Sequence, residues 1–214
     1  TFVGARAGDA LTEGGNNVAV GWATLSADTK GDKTVAVGRS ALGSQNFTTA
    51  TDAYNVAVGY AAGLSVTTGI VNTLIGGLAG DALEAANQNV AVGYASLSQD
   101  VRGSFSTAIG TGTLASQNFT TATNVYNTAV GYDAGNAVTT GTQNTLIGSL
   151  AGDAINDADR NVAVGYNALT TNQVGSRSVA IGTSALSVQN PSTATDMYNV
   201  AVGDDCGKVI STGT

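Results

Sequence analysis

A short apolar run that ends in glycine is the most regular feature of the 214-residue chain, and it occurs twelve times. The twelve glycines are Gly4, Gly21, Gly38, Gly59, Gly76, Gly93, Gly110, Gly131, Gly148, Gly165, Gly182 and Gly203. The chain is thus a series of 17-residue and 21-residue units, nested in a 72-residue super-repeat. Because a unit this short cannot enclose a core of its own, the pattern predicts that neighbouring units stack and share one.

Three apolar positions precede each glycine. The residue directly before it is Val or Ile, and the residue two positions earlier is Val or Thr. Side chains alternate along a strand, so these two positions share one face, which we expect to point into the core. The residue between them is Ala in nine copies and Phe2, Leu74 or Leu146 in the others, so the opposite face is apolar as well. Such a strand is predicted to be covered on both sides.

Turn residues bracket each apolar run. Asn stands four residues before the glycine in eight copies, where stacked side chains can form a ladder of hydrogen bonds. The glycine marks a second corner that a side chain would obstruct. The residues predicted to form these structural corners are Gly21, Gly38, Gly59, Gly93, Gly131, Gly165, Asn55, Asn89, Asn127 and Asn161.

These patterns predict an all-β fold, a parallel β-solenoid or β-roll of about twelve rungs. Residues 1–214 form one array in three super-repeats of four rungs, at 1–72, 73–144 and 145–214. Two residues equivalent to Gln143 and Asn144 would join one copy of the chain to the next in frame. We therefore expect an excerpt of a longer repeat protein, or a subunit that stacks end to end.

Composition narrows the function classes. The chain is 43% hydrophobic and 11% charged, with a net charge of −7, and its eight basic residues form no stripe, so a nucleic-acid partner is not expected. No apolar run is long enough to predict membrane insertion of this segment. There is no histidine, so we expect no catalytic residue, no metal site and no cofactor.

The remaining chemical candidates have structural interpretations. Asp9, Asp81 and Asp153 recur four rungs apart, roughly 19 Å along a solenoid axis, and are predicted to be turn residues. Cys206 replaces Ala, Thr or Ser of other copies and is predicted to be a small buried side chain. Runs of Thr such as 66–69 raise an ice-binding face as a weak alternative, because Thr-Thr occurs there only once per four rungs.

The 21-residue units carry an extended loop, at 45–55, 117–127 and 189–199. Aromatic residues recur in these loops, and the candidate binding residues are Phe47, Tyr54, Phe119, Tyr126 and Tyr198. Aromatic rings with hydroxyls suit sugar rings or a partner protein. The alternative is that the rings pack on their own loop or on a neighbouring chain. Trp22, Tyr60, Tyr94, Tyr132 and Tyr166 follow a corner glycine and are predicted to cover the corner from outside.

Two families share parts of the repeat. Residues 37–42 and 181–186 resemble the hexapeptide of left-handed β-helix acyltransferases, but the match occurs once per rung and the catalytic histidine is absent, so that enzyme is set aside. Asn-x-Ala-Val-Gly at 89–93 and 127–131, and Ser-Val-Ala-Ile-Gly-x-x-Ala at 178–185, resemble the YadA-like head repeats of trimeric autotransporter adhesins, which also occur in bacteriophage tail fibres.

The resemblance implies a left-handed β-roll and a homotrimer in which the Ala ladder abuts partner chains. It further implies a non-enzymatic fibre segment, extracellular on a cell or virion surface, that presents its loops to a glycan or protein receptor. Repeated weak contacts would then add up through avidity. The alternative is a subunit of an extracellular structural filament that assembles by end-to-end stacking of rungs, since open solenoid ends expose unpaired backbone groups.

Overall fold

The computed structural model describes residues 1–213 and shows an all-β parallel β-solenoid of about twelve turns, with no helix among those residues. The chain divides into two compact units, residues 1–106 with 118–124 and residues 107–117 with 125–214. Each unit contains six short strands of the main parallel sheet, together with smaller parallel pairs. The prediction of a parallel solenoid, with one short sequence unit per turn, is confirmed.

In the first unit, the strands of the main sheet are β1 (Phe2–Val3), β2 (Val18–Val20), β4 (Val35–Val37), β6 (Val56–Val58), β7 (Thr73–Ile75) and β8 (Val90–Val92). They pair in the order β1-β2-β4-β6-β7-β8. Two smaller pairs join β3 (Gly31–Asp32) to β5 (Thr51–Asp52) and β9 (Gly103–Ser104) to β11 (Thr123–Asn124). All of these pairings are parallel, as successive turns of one coil require.

In the second unit, the strands of the main sheet are β10 (Thr107–Ile109), β12 (Thr128–Val130), β13 (Thr145–Ile147), β14 (Val162–Val164), β16 (Val179–Ile181) and β18 (Val200–Val202). They pair in the order β10-β12-β13-β14-β16-β18. A smaller parallel pair joins β15 (Gly175–Ser176) to β17 (Thr195–Asp196). Equivalent residues lie opposite one another, for example Leu146 beside Ala129 and Ala163.

The two faces of the main strands are the reverse of the sequence prediction. The middle residue of each strand points inward, and Ala36, Leu74 and Ala91 are fully buried. The flanking Val and Ile residues point outward, and Ile75 is 38% exposed. The predicted inward Val/Ile face is therefore wrong, as is the proposal that the Ala ladder is free to contact partner chains. The interior of the narrow coil has room beside the strand only for small or complementary side chains.

Volume complementarity explains the 72-residue order. The residue four positions after each corner glycine lies next to the strand interior and is Leu or Gly. Leu74 replaces Ala where two successive turns carry Gly63 and Gly80 at that position. A Cβ on Gly63 would lie 2.7 Å from Leu74 Cδ1, and one on Gly80 would lie 2.8 Å from Leu74 Cδ2. The Leu side chain thus fills space that the two glycines leave, which keeps the core dense.

Every turn depends on left-handed backbone at corresponding positions. In the turn that follows β4, φ is +127° at Gly38, +58° at Ser40 and +49° at Leu42. Gly38 is required, because a Cβ there would lie 2.7 Å from the carbonyl carbon of Gly59 on the next turn. Of the predicted corner glycines, Gly21, Gly59, Gly93, Gly131 and Gly165 likewise have φ between +137° and +144°. The corner is thus set by close approach of successive turns.

The asparagine corner is formed by buried side chains that hydrogen-bond to the next turn. Asn89 Nδ2 donates to the carbonyl of Gly103 at 2.9 Å, and Asn89 Oδ1 accepts from the amide of Ser106 at 2.8 Å. Asn161 makes the same pair of contacts, to the Gly175 carbonyl at 3.0 Å and from the Ser178 amide at 2.9 Å. Asn55 and Asn127 follow the same pattern. The hydrogen bonds of the predicted ladder therefore run chiefly between asparagine side chains and backbone groups.

Candidate interaction surfaces

The extended loops hold three tyrosines at the surface and bury both phenylalanines. Tyr54, Tyr126 and Tyr198 are at least half exposed. Phe47 and Phe119 are less than a tenth exposed, so they supply little surface to a ligand. The aromatic binding surface predicted from five residues is thereby narrowed to the three tyrosines, whose binding role stays a prediction.

Two of these tyrosines lie in a charged cluster formed by an acid of their own loop and a cation that precedes the loop in the sequence. Lys33 Nζ contacts Asp52 Oδ2 at 2.6 Å and donates to the Tyr54 hydroxyl at 3.2 Å, and it lies 5.2 Å from the Tyr54 ring centroid. The hydrogen bond from Lys33 lowers the pKa of Asp52, and the bonds to Asp52 and then Tyr54 raise the pKa of Lys33. The cluster is exposed, so its contribution to stability is small.

The third super-repeat has an equivalent cluster with arginine in place of lysine. Arg177 Nε lies 3.0 Å from Asp196 Oδ1, and its guanidinium lies 5.6 Å from the Tyr198 ring. The middle super-repeat has Phe105 and Asn124 at the positions of the cation and the acid. Cation and carboxylate are therefore kept or lost together.

A buried polar network anchors the extended loops, and it is the feature that sequence reasoning missed. Asp28 is fully buried, and its Oδ1 accepts from the amides of Gly31 at 3.1 Å and Phe47 at 3.0 Å. Its Oδ2 accepts from Gln45 Nε2 at 2.7 Å, and Gln45 Oε1 accepts from Asn55 Nδ2 at 2.8 Å. A buried carboxylate needs such donors, so these bonds hold the start of the loop in place.

The network recurs with one coupled change. Asp100 Oδ1 accepts from the amides of Gly103 and Phe119 at 3.1 and 3.0 Å. In the third super-repeat the loop residue is Pro191, which has no amide hydrogen, and the acid is replaced by Asn172. Asn172 instead exchanges two bonds with the backbone of Gly175. The sequence signal is an Asp or Asn seven positions after a corner glycine and followed three positions later by Gly, once in each super-repeat.

The outward residues of the main strands form an apolar face in each unit. In the first unit, Val37, Val58, Ile75 and Val92 line up on successive strands, each half-buried or exposed. In the second, Ile109 and Ile147 are 38% and 40% exposed and flank Val130 in register. A contiguous, partly exposed apolar surface of this kind is a candidate site of association.

A column of residues borders this face at the position directly after each corner glycine, here called the post-glycine column. In the first unit it contains Trp22, Arg39, Tyr60, Gly77 and Tyr94. Its members are stacked by backbone bonds between turns, such as the Leu78 amide to the Tyr60 carbonyl at 2.9 Å and the Ala95 amide to the Gly77 carbonyl at 3.0 Å. The predicted position of the rings outside the corner is confirmed, because Trp22, Tyr60 and Tyr94 are about half exposed or more.

The acidic residues singled out from the sequence have different partners and different degrees of burial. Asp9 is exposed and pairs with Arg6 at 3.3 Å, and Asp153 accepts a hydrogen bond from Thr170. Asp81 is half-buried, its Oδ1 has no hydrogen-bond partner, and burial raises its pKa. Cys206 is half-buried and forms no disulfide. Within residues 1–213, no three His, Cys, Asp or Glu side chains are grouped to hold a metal ion.

No family model matches the chain, and neither a curated protein nor a solved structure matches it. In the part of the chain that the structure describes, no helix has the length and apolar character needed to cross a membrane.

Proposed function

We propose that the chain is a non-enzymatic segment of an extracellular fibre, on a cell or virion surface, that associates with further copies of itself and presents its loops for attachment. The observation that carries the proposal is the outward Val/Ile face. Side chains such as Ile75 and Ile147 are exposed in rows along parallel strands, although β-branched residues gain stability by leaving water. A solenoid needs no such face for its own core.

Association through this face replaces association through the Ala ladder, which is buried. The resemblance to YadA-like head repeats favours three chains, and the regular register of the rows favours copies that pack side by side. The three exposed loop tyrosines would then be displayed several times per assembly. Weak contacts made by Tyr54, Tyr126 and Tyr198 would add up through multivalency.

Light scattering across a dilution series tests the self-association. We expect a stable species of three times the 21.1 kDa chain mass. Ile75→Lys combined with Val92→Lys should lower the mass to that of one chain, since two charges would be buried in the interface. The matched control is Tyr54→Ala with Tyr126→Ala and Tyr198→Ala, which should leave the mass unchanged.

Three results would contradict the proposal. A wild-type chain that is monomeric at every concentration would remove the role of the apolar face. Growth into polymers of indefinite length would instead support the filament built by end-to-end stacking. A paired Lys variant that stays folded and keeps its mass would place the interface elsewhere.

A further inference from the structure

Aromatic residues occupy the post-glycine column on alternate turns only. Trp22, Tyr60 and Tyr94 in the first unit are separated by Arg39 and Gly77, and Tyr132 and Tyr166 in the second are separated by Ser149. Turns are spaced about 4.8 Å apart, so successive rings in a unit stand about 9.6 Å apart at the backbone. Each pair of successive rings therefore has a single turn between them, and the space beside that turn is here called an interval.

The first interval shows what fits between two such rings. The Arg39 guanidinium lies 5.1 Å from the Trp22 ring centroid and 5.8 Å from the Tyr60 ring centroid. A guanidinium is planar and weakly hydrated, and the negative faces of aromatic rings attract it. The molecule thus contains its own example of a guanidinium held between two aromatic side chains of the column.

The next interval lies between Tyr60 and Tyr94 and has a glycine at the position of the arginine. Gly77 places no side chain between Tyr60 and Tyr94, which are 57% and 60% exposed. Gly77 has no left-handed φ, and a Cβ there would make only ordinary contacts, 3.6 Å from Tyr94 Cδ2 and 4.0 Å from Tyr94 Cε2.

The second unit repeats this order of residues, two tyrosines separated by one small residue. Tyr132 and Tyr166 are more than half exposed, and Ser149 between them is small and uncharged. The carboxylate of Asp133 lies beside Tyr132, and a hydrogen bond to Asp133 raises the pKa of the Tyr132 hydroxyl. The chain as a whole carries a net charge of −7, which attracts a cationic partner.

We propose that the interval formed by Tyr60, Gly77 and Tyr94 and the one formed by Tyr132, Ser149 and Tyr166 bind arginine side chains of a basic partner protein. Each guest guanidinium lies between two rings, as Arg39 does. The site borders the Val/Ile face but contains none of its residues and none of the loop tyrosines, so it can be tested apart from self-association.

Nuclear magnetic resonance of the tyrosine rings tests the proposal with two probe peptides. One peptide carries several arginines spaced by glycines, and the other carries citrulline, which is neutral and nearly the same shape, at each of those positions. We expect shifts at the Tyr60, Tyr94, Tyr132 and Tyr166 rings with the arginine peptide, and an affinity about tenfold weaker for the citrulline peptide. Equal affinities for the two peptides would overturn the proposal.

Two variants assign the binding to the intervals. Gly77→Arg supplies a guanidinium from the chain itself and should abolish the response at Tyr60 and Tyr94 while that of Tyr132 and Tyr166 persists. Arg39→Gly opens the first interval and should create a response at Trp22. Circular dichroism verifies that each variant is folded, and Tyr60→Leu provides a second loss variant if Gly77→Arg unfolds the chain.

An unchanged response at Tyr60 and Tyr94 in folded Gly77→Arg would overturn the proposal, as would binding that disappears only with Tyr54→Ala, Tyr126→Ala and Tyr198→Ala. Light scattering on the same samples reports self-association independently. A protein that assembles but does not distinguish arginine from citrulline would retain the proposed fibre function and lose this site.

Discussion

Replacing Leu74 by Ala should destabilise the protein far more than replacing its neighbour Ile75 by Ala. Leu74 is fully buried, and the nearest positions on the adjoining turns are Gly63 and Gly80, which have no side chains that could move into the space. Leu→Ala substitutions in rigid cores cost about 3–5 kcal/mol, and poor relaxation favours the upper part of that range. Ile75 is 38% exposed, so its truncation should cost about 1–2 kcal/mol.

Equilibrium urea unfolding measures the difference, at a protein concentration where light scattering gives the mass of one chain. We expect the free energy of unfolding of Leu74→Ala to fall at least about 2 kcal/mol below that of Ile75→Ala, with similar slopes against urea. Similar slopes matter, because repeat arrays can unfold in parts. A larger loss for Ile75→Ala would refute the assignment of the strand middle to the core and would restore the opposite orientation.

Three further predictions concern polar groups. Asn89→Ala leaves two buried backbone groups without partners and should lower the free energy of unfolding by about 3 kcal/mol, measured by urea unfolding against Asn136→Ala as a part-buried control. Lys33→Met removes the main cause of the lowered pKa of Asp52, so that pKa should rise toward its usual value; a carboxyl titration by nuclear magnetic resonance that shows no change would contradict the contact. Burial raises the pKa of Asp81, so its ionised form opposes folding, and the stability that the protonated form allows at low pH is lost as pH rises through the folded pKa. Asp81→Asn should therefore raise the melting temperature at pH 7 and remove this pH dependence. An unchanged melting temperature at pH 7 would contradict the prediction.

The spacing of the glycines predicted the coil because the constraint is local and repeated. Corner glycines face the carbonyl of the next one, as Gly38 faces Gly59, so the distance between glycines equals the length of one turn. The parallel register follows, since equivalent residues of successive turns must meet. The asparagine corner was predictable for the same reason, although its partners proved to be chiefly backbone groups.

The orientation of the strands was not predictable from apolar alternation, because both faces are apolar. Val and Ile are larger and more hydrophobic than Ala, which favoured them as core residues. The deciding quantity is volume: Leu74 occurs in the strand where Gly63 and Gly80 flank it, whereas Ala36 occurs beside Leu42. That compensation could have been found by comparing positions two before and four after each glycine.

The buried network escaped prediction because two of its bonds join residues 17 and 19 positions apart. Asp28 reads as a turn residue on its own, and its partners are a backbone amide on one turn and a glutamine on another. The recurrence of Asp28 as Asp100 in the next super-repeat gave a signal, but the replacement by Asn172 obscured it.

The bond between Asp28 and the amide of Phe47 defines what can be exchanged between super-repeats. A recombination that brought the Pro191 loop into the first super-repeat but kept Asp28 would bury a carboxylate without one of its donors. Viable shuffling must move the acid and the loop together, as residues 28–55, 100–127 or 172–199. The inheritable module of this protein is therefore neither the single turn nor the whole super-repeat but a segment that begins inside one turn and ends at the asparagine of the next but one.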